Sequence, residues 1–214
     1  MWCLMNNNKR VLLTATAMVA ALALSACSEP PKPVEKAESA APKEPAKAPE
    51  AISALPAFYK LYKPAREWAA DLLALSVTSG EVPNIKNEDG KAGLWTVVFV
   101  SPSRKEARSF TWAEGDSGPD IRKGLNVSDA LVWNGATPAS KPFAATEFVV
   151  DSEAAYKTAH EKAADWLKTH PDQKVTLRVG DASPFPAPVW YIMWGSTKNG
   201  YAAVVNATTG MLVK

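Results

Sequence analysis

Few residues of this 214-residue chain have the type and spacing that chemistry requires. Its two histidines, His160 and His170, stand ten residues apart. That spacing matches neither the i,i+3 nor the i,i+4 separation that sets two ligands side by side on a helix. No Cys, nor a His-Glu-x-x-His arrangement, joins them to form a metal set. Glu114, Asp116 and Asp120 gather three carboxylates around Gly115 and Gly118, but a calcium loop needs ligands at alternate positions and a bidentate Glu at the twelfth. No Gly-x-Ser-x-Gly elbow or phosphate-cradling glycine loop is present. With no nucleophile, metal set or paired acid and base to name, the expectation is a protein that is not an enzyme and uses no cofactor or metal. Two kinds of group remain: the thiol of Cys27, and the rings of Trp190, Tyr191 and Trp194.

Cys27 follows a basic start (Lys9, Arg10), an apolar run from Val11 to Leu24, and the small residues Ser25 and Ala26. The layout reads as a removable export signal over residues 1–26. Its apolar run of about 14 residues is too short for the ~20 that cross a bilayer core. Leu24-Ser25-Ala26-Cys27 resembles the bacterial lipobox, which implies that Cys27 becomes the first mature residue and is acylated on its thiol and its amine. Several acyl chains on one cysteine exceed the single-chain threshold for stable anchoring, at about 0.8 kcal/mol per buried methylene. Ser28 stands where an inner-membrane retention signal usually carries Asp, so the resemblance implies the outer membrane, with the protein facing the periplasm. Cys3 leaves with the signal, so the mature chain has one thiol, disulfides are excluded, and so is thiol catalysis. The net charge of +2 resides in Lys9 and Arg10. A near-neutral mature chain gives no argument for nucleic-acid binding.

Residues 27–51 hold the acylated cysteine and a stretch of Pro, Ala, Lys and Glu. Such a composition cannot bury enough apolar surface to fold. At about 3.1 Å per residue in extended, Pro-rich form it reaches on the order of 70 Å. The remainder, from Ile52 to Lys214, is long enough for one good core or two small ones. It carries seven tryptophans, most of them expected inside.

The element order suggests a duplicated unit. In residues 52–120, Pro64 opens a helix whose face holds Trp68, Leu72 and Leu75, and Gly80 caps its end. An extended piece from Val82 to Lys86 precedes the Asp89-Gly90 turn; Leu94 to Val100 is a strand, and Arg108 to Trp112 pairs with it as a hairpin. Residues 121–150 form an irregular connection with one short strand at Ala130 to Trp133. In residues 151–214, Asp151 or Ser152 caps a helix with Tyr156, Ala159, Ala163, Trp166 and Leu167 on its apolar face. Lys174 to Val179 alternates as a strand, Val189 to Trp194 follows, Asn199-Gly200 turns the chain, and Tyr201 to Val205 returns. Thr209-Gly210 then leads into a last strand, Met211 to Val213.

The aromatic strand is the sharpest candidate surface. Trp190, Ile192 and Trp194 alternate to one face, with Tyr191 and Met193 on the other. Either both faces are covered and all of this is core, or one face is an exposed groove or edge that receives a peptide or a partner.

From the Asp151 helix through Asn206-Ala207-Thr208-Thr209-Gly210-Met211, the second half resembles a PepSY domain. The usual Asp-Ala-x-Thr-Gly turn has Asn206 in place of Asp, with Ala207, Thr209 and Gly210 matching. The resemblance implies a helix laid across a small antiparallel sheet, and a non-catalytic role in binding or inhibiting peptidases or as an envelope interaction module. The fold expected is α+β, two helix-on-antiparallel-sheet, PepSY-like units in tandem after the tether. The function expected is a membrane-anchored, non-catalytic module that binds a protein or peptide of the envelope, with a peptidase as one such target. The alternative is a small apolar or envelope-derived ligand held between helix and sheet.

Overall fold

A computed structural model describes residues 48–213; the signal segment, Cys27 and most of the Pro-rich stretch lie outside the described residues. The elements in chain order are α1 (Ala54–Trp68), β1 (Leu73–Gly80), β2 (Leu94–Ser101), β3 (Glu106–Ala113), β4 (Gly124–Val127), β5 (Leu131–Val132), α2 (Ser152–Thr169), β6 (Val175–Gly180), β7 (Val189–Trp194) and β8 (Tyr201–Asn206). The fold is α+β: eight strands form one antiparallel sheet, in the order β4-β3-β2-β1-β6-β7-β8, with β5 also on β3. The halves are therefore joined edge to edge through β1 and β6, in a single sheet.

The first helix lies earlier in the chain than its proline suggests. Ala54, Ala57, Phe58, Leu61 and Ala65 recur at helical spacing and are all buried. Pro56 occupies the first turn, where a missing N–H costs nothing, while Pro64 sits inside the helix. Leu73–Gly80, expected as the end of that helix, is strand β1, whose Val77 pairs with Val97 on one side and Val179 on the other. Leu75 thus lies in that strand and Leu72 just before it, neither on a helical face. Val82 to Ile85 is a tight turn closed by a bridge between those two residues, not an extended piece. Asp89 and Gly90 do form the expected turn, with φ of 49° and 82°.

Helix α2 and its strands follow the sequence pattern closely. Asp151 is the N-cap and its side chain accepts the Ser152 N–H; Ser152, Ala155, Ala159 and Ala163 are buried. The β7–β8 connection differs from expectation. Trp194 pairs with Tyr201 across six intervening residues, so Asn199-Gly200 is not a two-residue hairpin turn. The left-handed position is Gly195, at φ 78°. Gly200 is needed for another reason, since a Cβ there would strike the carbonyls of Trp194 and Ser196. Beyond Gly210 (φ 74°) the chain makes one bridge, Leu212 to Val205, in place of a full strand.

Both helices cover the same face of the sheet, and their buried residues join those of the strands in a single core. Directly opposed residues lie on one face, so Phe110, Val97, Val77, Val179, Trp190 and Val205 form a row beneath the helices. The seam between halves is narrow, with two registered pairs, Val77–Val179 and Thr78–Arg178. Beyond them the strands diverge, and residues 141–143 fill the gap: Lys141 N–H donates to Asp181 O at 2.9 Å, and Phe143 exchanges two backbone bonds with Ala74 at 2.8 and 2.9 Å. Phe143 and Phe148, from the stretch expected to be an irregular connection, are buried in the core.

The helix N-termini meet at this seam. Ser152 Oγ accepts the Ala54 N–H and Asp151 Oδ1 accepts the Leu55 N–H, both at 2.9 Å, so α1 is capped by the first residues of α2. Ser53 makes no side-chain cap of its own. Ala54 and Ser152 are 98 residues apart. The same offset relates Ala57 to Ala155, Phe58 to Tyr156, Leu61 to Ala159, Ala65 to Ala163 and Trp68 to Trp166.

Candidate functional site

The three aromatic residues of β7 do not share a surface. Trp190 is fully buried beneath the helices. Its Nε1–H donates to Val150 O at 2.9 Å, and its ring lies 5.6 Å from Phe148 and 6.3 Å from Trp95. Trp194, 2% exposed, sits among Tyr156, Tyr201 and His160. These two tryptophans hold the sheet to α2. Tyr191 points to the opposite, helix-free face, half-buried, with the Phe185 ring edge-on at 6.1 Å.

On that open face Tyr191 borders a hollow of about 300 Å³. Its floor is Leu75 of β1, Thr176 and Arg178 of β6, Tyr191 and Met193 of β7, and Ala202 of β8; Ser140 and Asp181 stand on its walls. The local sequence explains the depression. Val175, Leu177 and Val179 face the core, so the alternate positions Thr176, Arg178 and Gly180 face outward. Gly180 and Ala202 contribute almost no side chain between their larger neighbours. A register shift between Ala74 and Ser76 makes Leu75 an extra residue and turns it to the open side.

The charges around the hollow are incompletely matched. Arg178 is exposed and makes no ion pair or side-chain hydrogen bond among the described residues. Asp181 Oδ1 is buried and accepts no hydrogen bond. Lys141 Nζ stands 3.9 Å from it, an ion-pair distance without a bond. The Tyr191 phenol is pushed above its ordinary range chiefly by burial; Arg178 pulls it down and Asp181 pushes it further up. The hollow therefore presents a cationic donor, a buried acceptor and an apolar floor of Leu75 and Met193. These can hold a ligand; they include no activated nucleophile.

The other candidates are dispersed. His170 ends α2, its Nδ1 3.0 Å from Trp166 O and its ring stacked on Trp166 at 4.2 Å. His160 is exposed on α2. Glu114 accepts the Trp112 indole N–H at 2.7 Å, and Asp116 accepts the Lys123 N–H at 2.8 Å. No group of three His, Cys, Asp or Glu is placed to hold a metal ion, and no helix is long and apolar enough to cross a membrane, among the described residues. Arg178 and Asp181 did not stand out in the sequence. The signal was Arg178's place on the polar side of a strand adjacent to the aromatic one.

No protein-family model matches the chain, so the PepSY resemblance stands on the Asn206–Gly210 turn and the order of elements alone. No curated protein matches it either. Among solved structures it is similar to a proposed lipoprotein from Clostridium difficile 630, with 10% identity over 74% of this chain and 90% of that one, and a TM-score of 0.43.

Proposed function

We propose that this chain is a lipid-anchored envelope protein, held to the membrane through Cys27, and that its folded part is a non-catalytic module seating a peptide or protein segment on the open face of the sheet. The observation that carries the reading is the pair of unmatched groups flanking one hollow: Arg178 without a carboxylate and Asp181 Oδ1 without a donor. A buried acceptor left without a donor costs about 1–3 kcal/mol, and a polypeptide supplies both the donor and the acceptor such a site lacks. At about 300 Å³, the hollow is at the low end of the ~300–1,000 Å³ usual for whole small-molecule sites. It suits one anchoring side chain of a longer partner. The helix–sheet interface, by contrast, is filled by Phe58, Phe99, Phe148, Trp95 and Trp190. A small ligand, the second reading, fits better on the open face than between the layers.

We read the two halves as copies of one PepSY-like helix-on-sheet unit. The support is the 98-residue offset of the helix core positions, together with a shared hydrogen bond. Trp95 donates to Ile52 O and Trp190 to Val150 O, each the carbonyl two residues before its own helix.

Random peptides displayed against the full chain, then titrated against wild type and Arg178→Gln, test the site. Selected peptides should bind the variant about tenfold more weakly, as a charge-assisted hydrogen bond is worth about 1.5–3 kcal/mol. Peptides indifferent to both Arg178→Gln and Ala202→Arg would refute it. For the anchor, Cys27→Ser should leave the protein uncleaved or free of lipid; a mature-sized chain still membrane-bound would refute that part.

A further inference from the structure

The hollow on the open face is closed at one end only. Around Gly180 its wall is two loop stretches bonded to each other: Lys141 N–H donates to Asp181 O at 2.9 Å and Ser183 N–H to Pro138 O at 2.8 Å. At the opposite end, where Thr176, Met193 and Ala202 form the floor, no loop residue lines it. A chain that ends in the hollow enters from that side and stops at the wall, whereas a continuous segment would have to turn back there.

The charged groups stand at the closed end. A Cβ on Gly180 would lie 4.0 Å from Arg178 Nη2, so the Arg178 side chain runs along β6 towards Asp181. Lys141 and Asp181 face each other at 3.9 Å and balance in charge, which leaves the Arg178 guanidinium uncompensated. The hydroxyls of Ser140 and Tyr191 make no hydrogen bond among the described residues either. These groups are donors, and an anion with two acceptor oxygens suits them. Asp181 is the exception. Its side chain is 16% exposed, and neither carboxylate oxygen accepts a hydrogen bond among the described residues. Leu75 and Met193 add an apolar floor beside these groups.

An occupant must therefore bring a carboxylate, an N–H and an aliphatic side chain close together, on a chain with one exit. The last residue of a polypeptide carries all three on a single Cα. We propose that the segment seated in the hollow is a polypeptide C-terminus: its α-carboxylate pairs with Arg178, its last N–H donates to Asp181, and its last side chain rests on Leu75 and Met193. This assignment rests on the reading of the hollow as a peptide seat and names the part of the peptide it takes. An internal Asp or Glu supplies the carboxylate, but its chain has two exits. A free amino acid would set an ammonium beside Lys141, which already balances Asp181.

The test uses peptides displayed through their N-termini, each ending in a free carboxylate, selected on the full chain. They are then synthesised as the acid, as the C-terminal amide, and as the acid lengthened by one glycine. Selected sequences should end in Leu, Ile, Val or Met. The acid should bind about tenfold or more tightly than the other two forms, because they lose a charge-assisted hydrogen bond. Arg178→Gln should weaken the acid to the level of the amide and leave the amide unchanged. An ester oxygen in place of the last peptide N–H should weaken the acid about tenfold. Most of these changes are made in the peptide, so the protein's folding does not enter. Arg178 is exposed, and its variant should keep the wild-type urea midpoint. Peptides that need Arg178 but bind equally as acid and amide would overturn the C-terminal assignment and leave the peptide seat standing. Peptides indifferent to Arg178→Gln and to Ala202→Arg would remove the seat itself, and the assignment with it. Free leucine that displaces the peptide at equal concentration would make the occupant an amino acid, which also overturns the proposal.

Discussion

Trp95 and Trp190 meet edge to face at the centre of the core, their ring centroids 6.3 Å apart and their planes at 76°. They come from opposite sides of the seam, and each indole N–H is bonded to the carbonyl two residues ahead of a helix, at 2.8 Å for Ile52 and 2.9 Å for Val150. One contact thus couples the core of each half to the other, and each hydrogen bond fixes where its helix begins.

Replacing either tryptophan with alanine should lower stability by about 3–5 kcal/mol through lost burial and the cavity left behind. Urea midpoints give the measurement. The double variant should show a coupling of about 0.5–1.5 kcal/mol, the range of an aromatic pair in contact. Tyr191→Ala, on the open face, should cost much less. Equal losses at positions 190 and 191 would contradict the assignment of the two faces.

The Ser152 hydroxyl joins the helix starts. Ser152→Ala leaves the Ala54 N–H, in a buried setting, without its acceptor, and should destabilise by about 1–3 kcal/mol. Ser152→Thr keeps the oxygen but adds a methyl group where the side chain is fully buried. It should therefore recover only part of the loss. Chemical denaturation of the three proteins orders them.

Gly90 touches the same junction. It has φ 82°, and a Cβ there would lie 2.5 Å from Ser152 O and 2.7 Å from Glu153 Cα. Gly90→Ala should lower the melting temperature well beyond the effect of Gly118→Ala. Gly118 has a similar φ of 70° but open space around it, so the difference between the two isolates the steric clash from the backbone strain.

Asp71 links the end of α1 to the β2–β3 turn, accepting Ser101 Oγ at 2.6 Å and Ser103 N–H at 2.8 Å. The Ser101 hydroxyl first, then the Ser103 amide, hold its carboxyl down from 3.8 to about 2. Its folded value is depressed, so its contribution is complete above the unfolded value of 3.8 and is lost as pH falls from there through about 2. Asp71→Asn should flatten the pH dependence of stability in that window, read from urea midpoints at pH 2 to 5. An unchanged slope would show that the carboxylate is not bonded in solution.

By itself the sequence determined several elements whose pattern is local, though not the turns at Val82 to Ile85 and Asn199-Gly200. The alternation of Leu94 to Val100 and of Val175 to Val179, the N-cap at Asp151, and the Asp89-Gly90 turn depend on residues within a few positions of one another, and each is where the pattern put it. The α+β class followed from those elements. The start of α1 did not, because Pro64 looked like a helix opener while the true first turn carries Pro56 and is capped from 98 residues away. Cys27, read from the sequence, lies outside the described residues. Only the tertiary structure decided that the halves share one sheet and not a face-to-face packing, since edge pairing of β1 with β6 leaves no periodic trace in either strand. It also buried Trp190 and Trp194 beneath the helices, left Tyr191 half-buried on the open face, and set Arg178 and Asp181 beside it. Alternation fixes which residues share a face, whereas burial of that face depends on the helices that cover it.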